Sequence, residues 1–337
     1  MKGNVSIIGD GAMATVCSRI LSEKNLSICL WSAFEEYAEV LKQSRENKAY
    51  LPGIEIPPSV KITSDPAEAF FDHPDIIISA VPTKFLRSVW EKLKPFCPAG
   101  VPICSATKGI ENGTLFRPSQ VLRDVLTGSA DSDWPIVALS GPSIAKEVAQ
   151  GLPATVVSAS SDENLARQVQ QLFSTSYFRV YTNTDIIGVE IAGATKNVIA
   201  IAAGILDGLK MGDNVKAALL TRGLAEITRL GLAMGGKRET FSGLAGLGDL
   251  VTTCISPFGR NRSFGEAIGR GKTREEAEGQ TKSVVEGVNT TISVLELAKK
   301  YNVDMPITRA VYAVLFEGQD PSKAIMELMC RPLKAED

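Results

Sequence analysis

The sequence predicts an α/β protein in which a doubly wound, mostly parallel sheet is followed by an all-α region. Up to about residue 185, short β-branched runs alternate with helical patterns, which is typical of strands joined by crossover helices. Beyond that point the strand signals vanish and long helical segments follow one another. We therefore expect two domains, 1–185 and 186–337.

Each element is predicted from a local signal. Strands are expected where short apolar, mostly β-branched runs are bounded by turn residues, and helices where apolar residues recur every three or four positions. The predicted strands are 4–8, 26–31, 76–81, 101–106, 136–139, 154–157 and 178–181. The predicted helices are 15–22, 35–47, 86–93, 164–173, 189–209, 214–234, 263–270, 273–278, 288–301 and 306–316.

The composition is that of an ordinary globular protein and argues against several classes. The 337 residues are 44% hydrophobic and 22% charged, the formal net charge is -2, and no basic block stands out, so nucleic acid is not expected as the main partner. The stretch 186–209 has the length of a membrane span, but it contains Glu190, Lys196, Asn197 and Asp207, so no span is expected.

The cysteines and the single histidine restrict the chemistry. The six cysteines form no C-x-x-C pair and no signal peptide is visible, so we expect a cytoplasmic protein with reduced thiols and no metal site. His73 precedes a predicted strand, whereas ligands of open α/β sheets bind where strands end. Acid/base chemistry is therefore expected from a lysine or a carboxylate.

A glycine-rich turn follows the first predicted strand. Gly9-Asp10-Gly11-Ala12-Met13-Ala14 fits the G-x-G-x-x-A pattern, whose glycines let a pyrophosphate approach the start of a helix. This context predicts a Rossmann-like sheet that binds a dinucleotide; the alternative is a tight strand–helix turn. The second strand ends in Trp31-Ser32-Ala33, without the carboxylate typical of NAD sites or the arginine typical of NADP sites. The sequence therefore does not fix the preference between NAD and NADP. We expect this preference to be weak or tilted toward NADH.

A lysine lies in the middle of the most apolar predicted helix. Gly188 to Gly204 is built of small and apolar residues, with Lys196 and Asn197 side by side at its centre. A buried ammonium group has a lowered pKa and can exchange protons near neutral pH. The alternative is a structural lysine that reaches the surface along its aliphatic stem. Asn197 is expected to turn to a different side of the helix.

Further polar groups stand in turns. Lys108 and the segment Ser140-Gly141-Pro142-Ser143 each follow a predicted strand, Asp249 follows the glycine-rich Gly246-Leu247-Gly248, and Arg260-Asn261-Arg262 would suit an anion. Taken singly, each also fits a turn, a helix cap or a surface charge.

Together these segments resemble the bacterial NAD(P)-dependent sn-glycerol-3-phosphate dehydrogenase family. The matching runs, in order, are 50–54, 81–82, 107–111, 139–143, 188–204, 212–214, 221–226, 243–250, 259–261 and 285–287. The resemblance implies interconversion of dihydroxyacetone phosphate and glycerol 3-phosphate for glycerophospholipid synthesis, with NAD or NADP and no metal. The sequence departs from the family pattern at the phosphate loop, where Ala12, Met13, Ala14 and Val16 replace Ser, Trp, Gly and Ala. It also has Ala33 and Gly259 where the family has an arginine and a serine.

The resemblance also implies roles for individual residues. Lys196 would be the proton acceptor in oxidation and the donor in reduction, with Lys108 and Asp249 beside it. The substrate would be lined by Lys108, Gly141, Ser143, Lys196, Asp249, Gly259, Arg260 and Asn261. The cofactor would be met by Gly9, Gly11, Ala12, Met13, Ala14, Lys108, Ala145, Arg260, Val284 and Glu286.

Two other functions remain open at this point. One is a related two-domain β-hydroxyacid or ketoacid dehydrogenase, since a carboxylate could use the same basic clamp. The other is a catalytically silent nucleotide-binding sensor, against which the two lysines and Asp249 argue. In each case the partner is a small molecule, and the apolar helical region favours a homodimer.

Overall fold

The structure is a computed structural model that describes residues 3–281, 283–333 and 335. Its centre is a sheet whose strands are β1 Asn4–Ile8, β2 Ser27–Trp31, β3 Val60–Thr63, β4 Ile76–Ser79, β5 Ile103–Ser105, β6 Ile136–Ser140, β7 Ala154–Ala159 and β8 Phe178–Asn183. Their spatial order is β3-β2-β1-β4-β5-β6-β7-β8, and all neighbours are parallel except β6 and β7. This is the doubly wound arrangement that the sequence predicts.

The carboxyl ends of the parallel strands lie at one edge of the sheet. In the register of the sheet, Ile8 of β1 lies opposite Ser79 of β4, and Ser79 lies opposite Ser105 of β5. The turns that follow β1, β4, β5 and β6 therefore meet at the same edge, which is where open α/β sheets bind their ligands.

Helices cover both faces of the sheet and form the rest of the chain. Those before residue 185 are α1 Ala12–Ser22, α2 Glu35–Ser44, α3 Pro66–Ala69, α4 Thr83–Leu93, α5 Pro118–Thr127, α6 Ala145–Ala149 and α7 Glu163–Phe173. Those after it are α8 Ile186–Gly208, α9 Asp213–Ala233, α10 Arg238–Ser242, α11 Asp249–Ile255, α12 Arg260–Gly269, α13 Arg274–Glu278, α14 Glu286–Tyr301, α15 Pro306–Phe316 and α16 Pro321–Met329. The predicted fold class, a doubly wound sheet followed by helices, is confirmed.

Several elements escaped the sequence prediction: α5 and α16, which have ten and nine residues, and a group of shorter ones. β3 has four residues, and α3, α6 and α10 have at most five, which is too short for a visible period. The segment around Asp249 was predicted as a turn, but Leu244–Gly248 forms one π-helical turn and Asp249 begins α11. The glycines of this segment allow the wide turn that brings the carboxylate inward.

Helix α8 is the axis of the helical region. By length and composition it could cross a membrane, yet 89% of the residues in its apolar 18-residue stretch are buried inside the protein. Its apolar character is therefore explained by neighbours, chiefly α12, α9, α11 and α14, which pack around it.

Glycines let α12 approach α8 closely. A Cβ atom on Gly265 of α12 would lie 2.0 Å from the carbonyl oxygen of Ile201, and one on Gly204 of α8 would lie 1.9 Å from the carbonyl oxygen of Arg262. Both distances are far shorter than any real carbon–oxygen contact, so only glycine fits at either position. The close approach fixes the start of α12 beside the middle of α8.

A buried ion pair joins α8 to the sheet region. Glu190 of α8 accepts hydrogen bonds from the Arg117 guanidinium and from the backbone and hydroxyl of Ser119, the latter two at 2.7 Å each. Arg117 and Ser119 lie at the start of α5, and all three side chains are buried. The two parts of the chain are thus connected by charge as well as by apolar contacts.

Candidate active site

A buried carboxylate binds two ammonium groups at the centre of the molecule. Asp249 Oδ1 accepts a hydrogen bond from Lys196 Nζ, and Asp249 Oδ2 accepts one from Lys108 Nζ at 2.7 Å. Thr253, one helical turn after Asp249, accepts a second hydrogen bond from Lys196 Nζ at 2.7 Å. Lys196 is 5% exposed and Asp249 is 2% exposed, so Lys196 does not reach the surface as a structural lysine would.

The charged groups of this cluster shift one another's pKa values. Burial lowers the pKa of Lys196 from 10.5 to about 8; Asp249 opposes this shift, and Lys108 adds to it. Burial by itself raises the pKa of Asp249, but the ammonium groups of Lys108 and Lys196 outweigh it and hold that pKa below the ordinary 3.8. The cluster therefore carries one permanent anion and a lysine that can gain and lose a proton close to neutral pH.

Lys108 connects the cluster to the edge of the sheet. It follows β5, and its ammonium group also donates to the carbonyl oxygen of Gly141, 3.1 Å away, after β6. Gly141 has φ +131 and a Cβ atom there would lie 2.9 Å from the Cα of Val156, so the turn requires glycine. Ser143 donates to the same carbonyl at 3.0 Å, and Ala145 begins α6 just beyond.

Two asparagines form a buried chain of amides. Asn197 Nδ2 donates to the carbonyl oxygen of Lys108 at 3.3 Å, and Asn197 Oδ1 accepts from Asn261 Nδ2 at 2.9 Å. Asn261 Oδ1 accepts in turn from the amide of Gly287 at 2.9 Å. Asn197 does turn away from the Lys196 ammonium group, as predicted. It is nevertheless bonded to two elements of the site, so its substitution would not be a neutral control.

The N-terminus of α12 is a candidate site for an anion. Gly259 is its N-cap and supplies no side-chain hydrogen bond, so the first amides of the ten-residue helix have no side-chain cap. Arg260 stands at the first helical position with an exposed side chain that donates to the carbonyl oxygen of Val284 at 3.1 Å. Arg262 is bonded to Asp207 at 2.7 Å, so it is not part of this anion site.

Glu286 belongs to the same edge. Its carboxylate accepts from the amide of Thr83, at the start of α4, at 2.9 Å. Burial raises the pKa of Glu286, while the Thr83 amide and the Arg260 charge oppose the rise. The structure thus brings Lys108, Arg260, Val284 and Glu286 to the region where β4 and β5 end.

The glycine-rich turn fits a dinucleotide. Gly9 has φ +122, and a Cβ atom there would lie 2.8 Å from the carbonyl oxygen of Ala80, so the tight turn excludes other residues. Gly11 is the N-cap of α1, provides no side-chain cap and has open space where its Cβ would be. Ala12, Met13 and Ala14 form the first turn of α1, whose free amides suit a pyrophosphate. Within the described ranges, no group of three or more His, Cys, Asp or Glu side chains could hold a metal ion.

Sequence reasoning missed two members of the site. Thr253 gave no signal, because its contact with Lys196 joins residues of different helices. Asn197 was noticed only as a neighbour of Lys196, since its amide partners are distant in the sequence. For Thr253, the four-residue spacing from Asp249 would have been a signal had a helix been predicted there.

A doubly wound sheet with a glycine-rich nucleotide turn, next to a buried lysine–aspartate pair, defines an oxidoreductase that acts on a CH–OH group with a nicotinamide cofactor. Family models narrow this class. The model described as NAD-dependent glycerol-3-phosphate dehydrogenase N-terminus matches residues 4–166, and the corresponding C-terminus model matches 185–326. The chain belongs to the NAD-dependent glycerol-3-phosphate dehydrogenase family.

Individual relatives agree with this assignment. The chain is 46% identical over 336 residues to a glycerol-3-phosphate dehydrogenase [NAD(P)+] of Citrifermentans bemidjiense, covering 100% of this chain and 99% of the relative. It is 48% identical over 334 residues to one from Salinibacter ruber, covering 99% and 97%. A crystal structure of glycerol-3-phosphate dehydrogenase from Coxiella burnetii matches with a TM-score of 0.93 and 38% identity over 98% of this chain and 99% of that one.

Proposed function

We propose that the protein interconverts dihydroxyacetone phosphate and sn-glycerol 3-phosphate with NAD(H) or NADP(H), mainly as a reductase that supplies glycerophospholipid synthesis. The observation that carries this proposal is a proton-exchanging lysine on a buried carboxylate, close to an uncapped helix N-terminus with an arginine. The first feature suits a carbonyl that becomes an alcohol, and the second suits a phosphate. Family membership supports the same substrate.

The proposed catalytic roles follow from charge. The nicotinamide, when bound, exchanges a hydride with the substrate carbon. Lys196 holds the proton that the carbonyl oxygen receives in reduction, and its charge stabilises the developing alkoxide. Asp249 keeps the ammonium groups of Lys196 and Lys108 in place, and Thr253 fixes the direction of Lys196.

The proposed binding roles divide between two helix termini. The substrate phosphate would lie at the start of α12, held by Arg260 and the amides after Gly259, while Asn261 is braced by Asn197. Gly141 and Ser143 would line the opposite wall. The cofactor pyrophosphate would lie on Gly9, Gly11 and the first turn of α1.

We also propose a separate function for each of the two domains. We assign dinucleotide binding to residues 1–185 and substrate binding and catalysis to 186–337. We also propose a homodimer, which light scattering coupled to gel filtration would test, and a cytoplasmic location.

An absorbance assay at the nicotinamide band tests the activity. The purified protein should oxidise NADH or NADPH when dihydroxyacetone phosphate is added, without added metal. Unphosphorylated dihydroxyacetone and a panel of α-ketoacids should be far poorer substrates, because they lack the phosphate. Equal efficiency with dihydroxyacetone would contradict the phosphate site, and a preference for a ketoacid would favour a hydroxyacid dehydrogenase. No turnover with any ketone would favour a nucleotide sensor, and inhibition by a chelator would contradict the metal-free mechanism.

A further inference from the structure

The glycine-rich turn carries an acidic residue at its centre. Asp10 stands between Gly9 and Gly11, and its Oδ2 accepts a hydrogen bond from the hydroxyl of Ser32 at 2.6 Å. Ser32 is buried and comes directly after β2. The carboxylate of the phosphate loop therefore lies against the end of the second strand, 22 residues away along the chain.

The position of Asp10 is fixed by a second set of contacts. The side chain of Asn47, fully buried, donates to the carbonyl oxygen of Asp10 at 2.7 Å and to the hydroxyl of Thr15 at 2.8 Å. Tyr37 donates to Asn47 Oδ1 at 2.6 Å. The backbone of Asp10 is thus tied to α1 and to the chain after α2, and its side chain to β2.

The end of the second strand is where a Rossmann fold reads the adenosine ribose. A carboxylate there bonds the 2′- and 3′-hydroxyls of NAD, whereas NADP sites use a cation for the 2′-phosphate. In this chain, Trp31-Ser32-Ala33-Phe34 provides neither group from the strand end itself. Asp10 brings a carboxylate to the same place from the neighbouring turn; the Ser32 hydroxyl and the amides of Asp10 and Ala33 bond it, and the two oxygens of a carboxylate can accept about four hydrogen bonds.

Burial and hydrogen bonds act in opposite directions on the pKa of the Asp10 carboxyl. Burial raises its pKa above 3.8, but the Ser32 hydroxyl and the amides of Asp10 and Ala33 oppose the rise by favouring the ionised form. Phe34, 71% exposed at the start of α2, adds an open aromatic face beside the strand end, suitable for stacking on a base.

We propose that Asp10 determines cofactor specificity: its carboxylate, oriented by Ser32, accepts hydrogen bonds from the ribose hydroxyls of NADH and repels the 2′-phosphate of NADPH. This inference rests on the proposed dehydrogenase function and assigns the discrimination to a residue of the phosphate loop instead of the strand end.

Binding of cofactor fragments tests the inference without turnover. The probes are 5′-AMP and adenosine 2′,5′-bisphosphate, which differ only in the 2′-phosphate, measured by titration calorimetry on the full chain. The wild type should favour 5′-AMP, because the second phosphate meets a carboxylate. Asp10→Asn removes the charge, keeps the shape and can still accept from Ser32, so it should shift the affinity ratio toward the bisphosphate by about tenfold or more, which is about 1.4 kcal/mol.

Glu35→Gln is the matched control. It removes the same charge from the exposed start of α2, 25 positions further along the chain, and should change the ratio by less than about threefold because solvent and salt screen an exposed charge. Ser32→Ala frees the carboxylate from its orienting bond and should give a shift smaller than that of Asp10→Asn. An Asp10→Asn ratio within twofold of wild type, or a larger shift in Glu35→Gln than in Asp10→Asn, would overturn the proposal. A thermal melt of each variant establishes that it is folded.

Steady-state kinetics distinguish a failure of this inference from a failure of the proposed dehydrogenase function. With dihydroxyacetone phosphate as substrate, Asp10→Asn should raise kcat/KM for NADPH relative to NADH by a factor similar to the fragment shift. If no variant turns over this substrate but the fragment ratio shifts, the proposed reaction fails while the role of Asp10 stands. If turnover is normal and neither ratio shifts, only the role of Asp10 fails.

Discussion

At the scale of single residues, the proposed chemistry depends most on Lys196. Lys196→Met should lower the turnover number by at least about 10²–10⁴-fold, because it removes both the proton donor and the charge next to the alkoxide. The dissociation constant of the cofactor should stay within a few-fold, as measured by nicotinamide fluorescence. Lys210→Met makes the same chemical change at an exposed lysine just after α8 and should be active. If Lys196→Met keeps more than a tenth of wild-type turnover, the lysine is only structural.

The pH dependence of reduction follows from the lowered pKa of the same lysine. In the proposed mechanism, reduction needs protonated Lys196, so kcat/KM for dihydroxyacetone phosphate should fall as the pH rises through about 8. Asp249 raises the pKa of Lys196 and Lys108 lowers it. Asp249→Asn should therefore move the midpoint of the profile to lower pH, and Lys108→Met to higher pH, whatever activity each retains. Midpoints that move together, or not at all, would mean that another group controls the profile.

Arg260 differs from Lys196 in the kinetic parameter it should affect. Its bond to the substrate phosphate would exist in the ground state and in the transition state alike. Arg260→Ala should therefore raise KM for dihydroxyacetone phosphate more than it lowers kcat. Lys216→Ala, whose ammonium group pairs with Asp207, provides a comparison that removes a cation elsewhere. A loss confined to kcat would contradict the assignment of Arg260 to the phosphate.

At the scale of elements, the contact between α8 and α12 is the most sensitive to size. Gly265→Ala would place a methyl group 2.0 Å from the carbonyl oxygen of Ile201, so the two helices must separate. We expect a loss of about 1–3 kcal/mol in the free energy of unfolding, typical of overpacking, and a raised KM because the start of α12 moves. Gly279→Ala, whose Cβ would be 3.4 Å from its nearest neighbour, should change neither quantity. Chemical denaturation and steady-state kinetics measure the two effects.

The elements also show how far the sequence could be interpreted. Most long helices were predictable because one-sided burial leaves a periodic pattern, as in α14 or α15, and most strands because a strand buried on both faces is a short continuous apolar run, as in β4 or β6. The contacts that form the site were harder to predict from the sequence. Lys196 and Asp249 meet across 53 positions, and Asp10 and Ser32 across 22, and no local pattern records such a meeting. Family resemblance named the first pair, but it could not name Asp10, which lies outside the runs that carry the resemblance.

At the scale of the whole molecule, the Arg117–Glu190 pair should couple the unfolding of the sheet region and the helical region. Arg117→Met removes the guanidinium that is hydrogen-bonded to the buried Glu190, and losing one partner of a buried pair typically costs about 3–5 kcal/mol. Trp31, Trp90 and Trp134 all lie before residue 185, so tryptophan fluorescence reports on the sheet region, whereas far-ultraviolet circular dichroism reports largely on helices. The two urea transitions should coincide in the wild type and separate in the variant.

The control for this coupling is an exposed pair. Arg167→Met breaks the contact with Glu163, in which both side chains are more than half exposed, and should cost about 0–1 kcal/mol without separating the transitions. Coincident transitions in Arg117→Met would mean that apolar contacts alone hold the two regions together.

The apolar length of α8 has a consequence for synthesis in the cell. The 23 residues Ile186–Gly208 leave the ribosome before most of the helices that later cover them. During that interval the nascent chain presents a segment that membrane-insertion machinery could accept, and a lysine at the centre of such a segment opposes insertion by about 2.5–3.5 kcal/mol. Besides the role proposed for it in the reaction, Lys196 should therefore disfavour membrane insertion of the nascent chain, together with Glu190 in the same segment. Lys196→Met removes one charge from this segment and should lower the yield of soluble protein, whereas Lys196→Arg, which keeps the charge, should not.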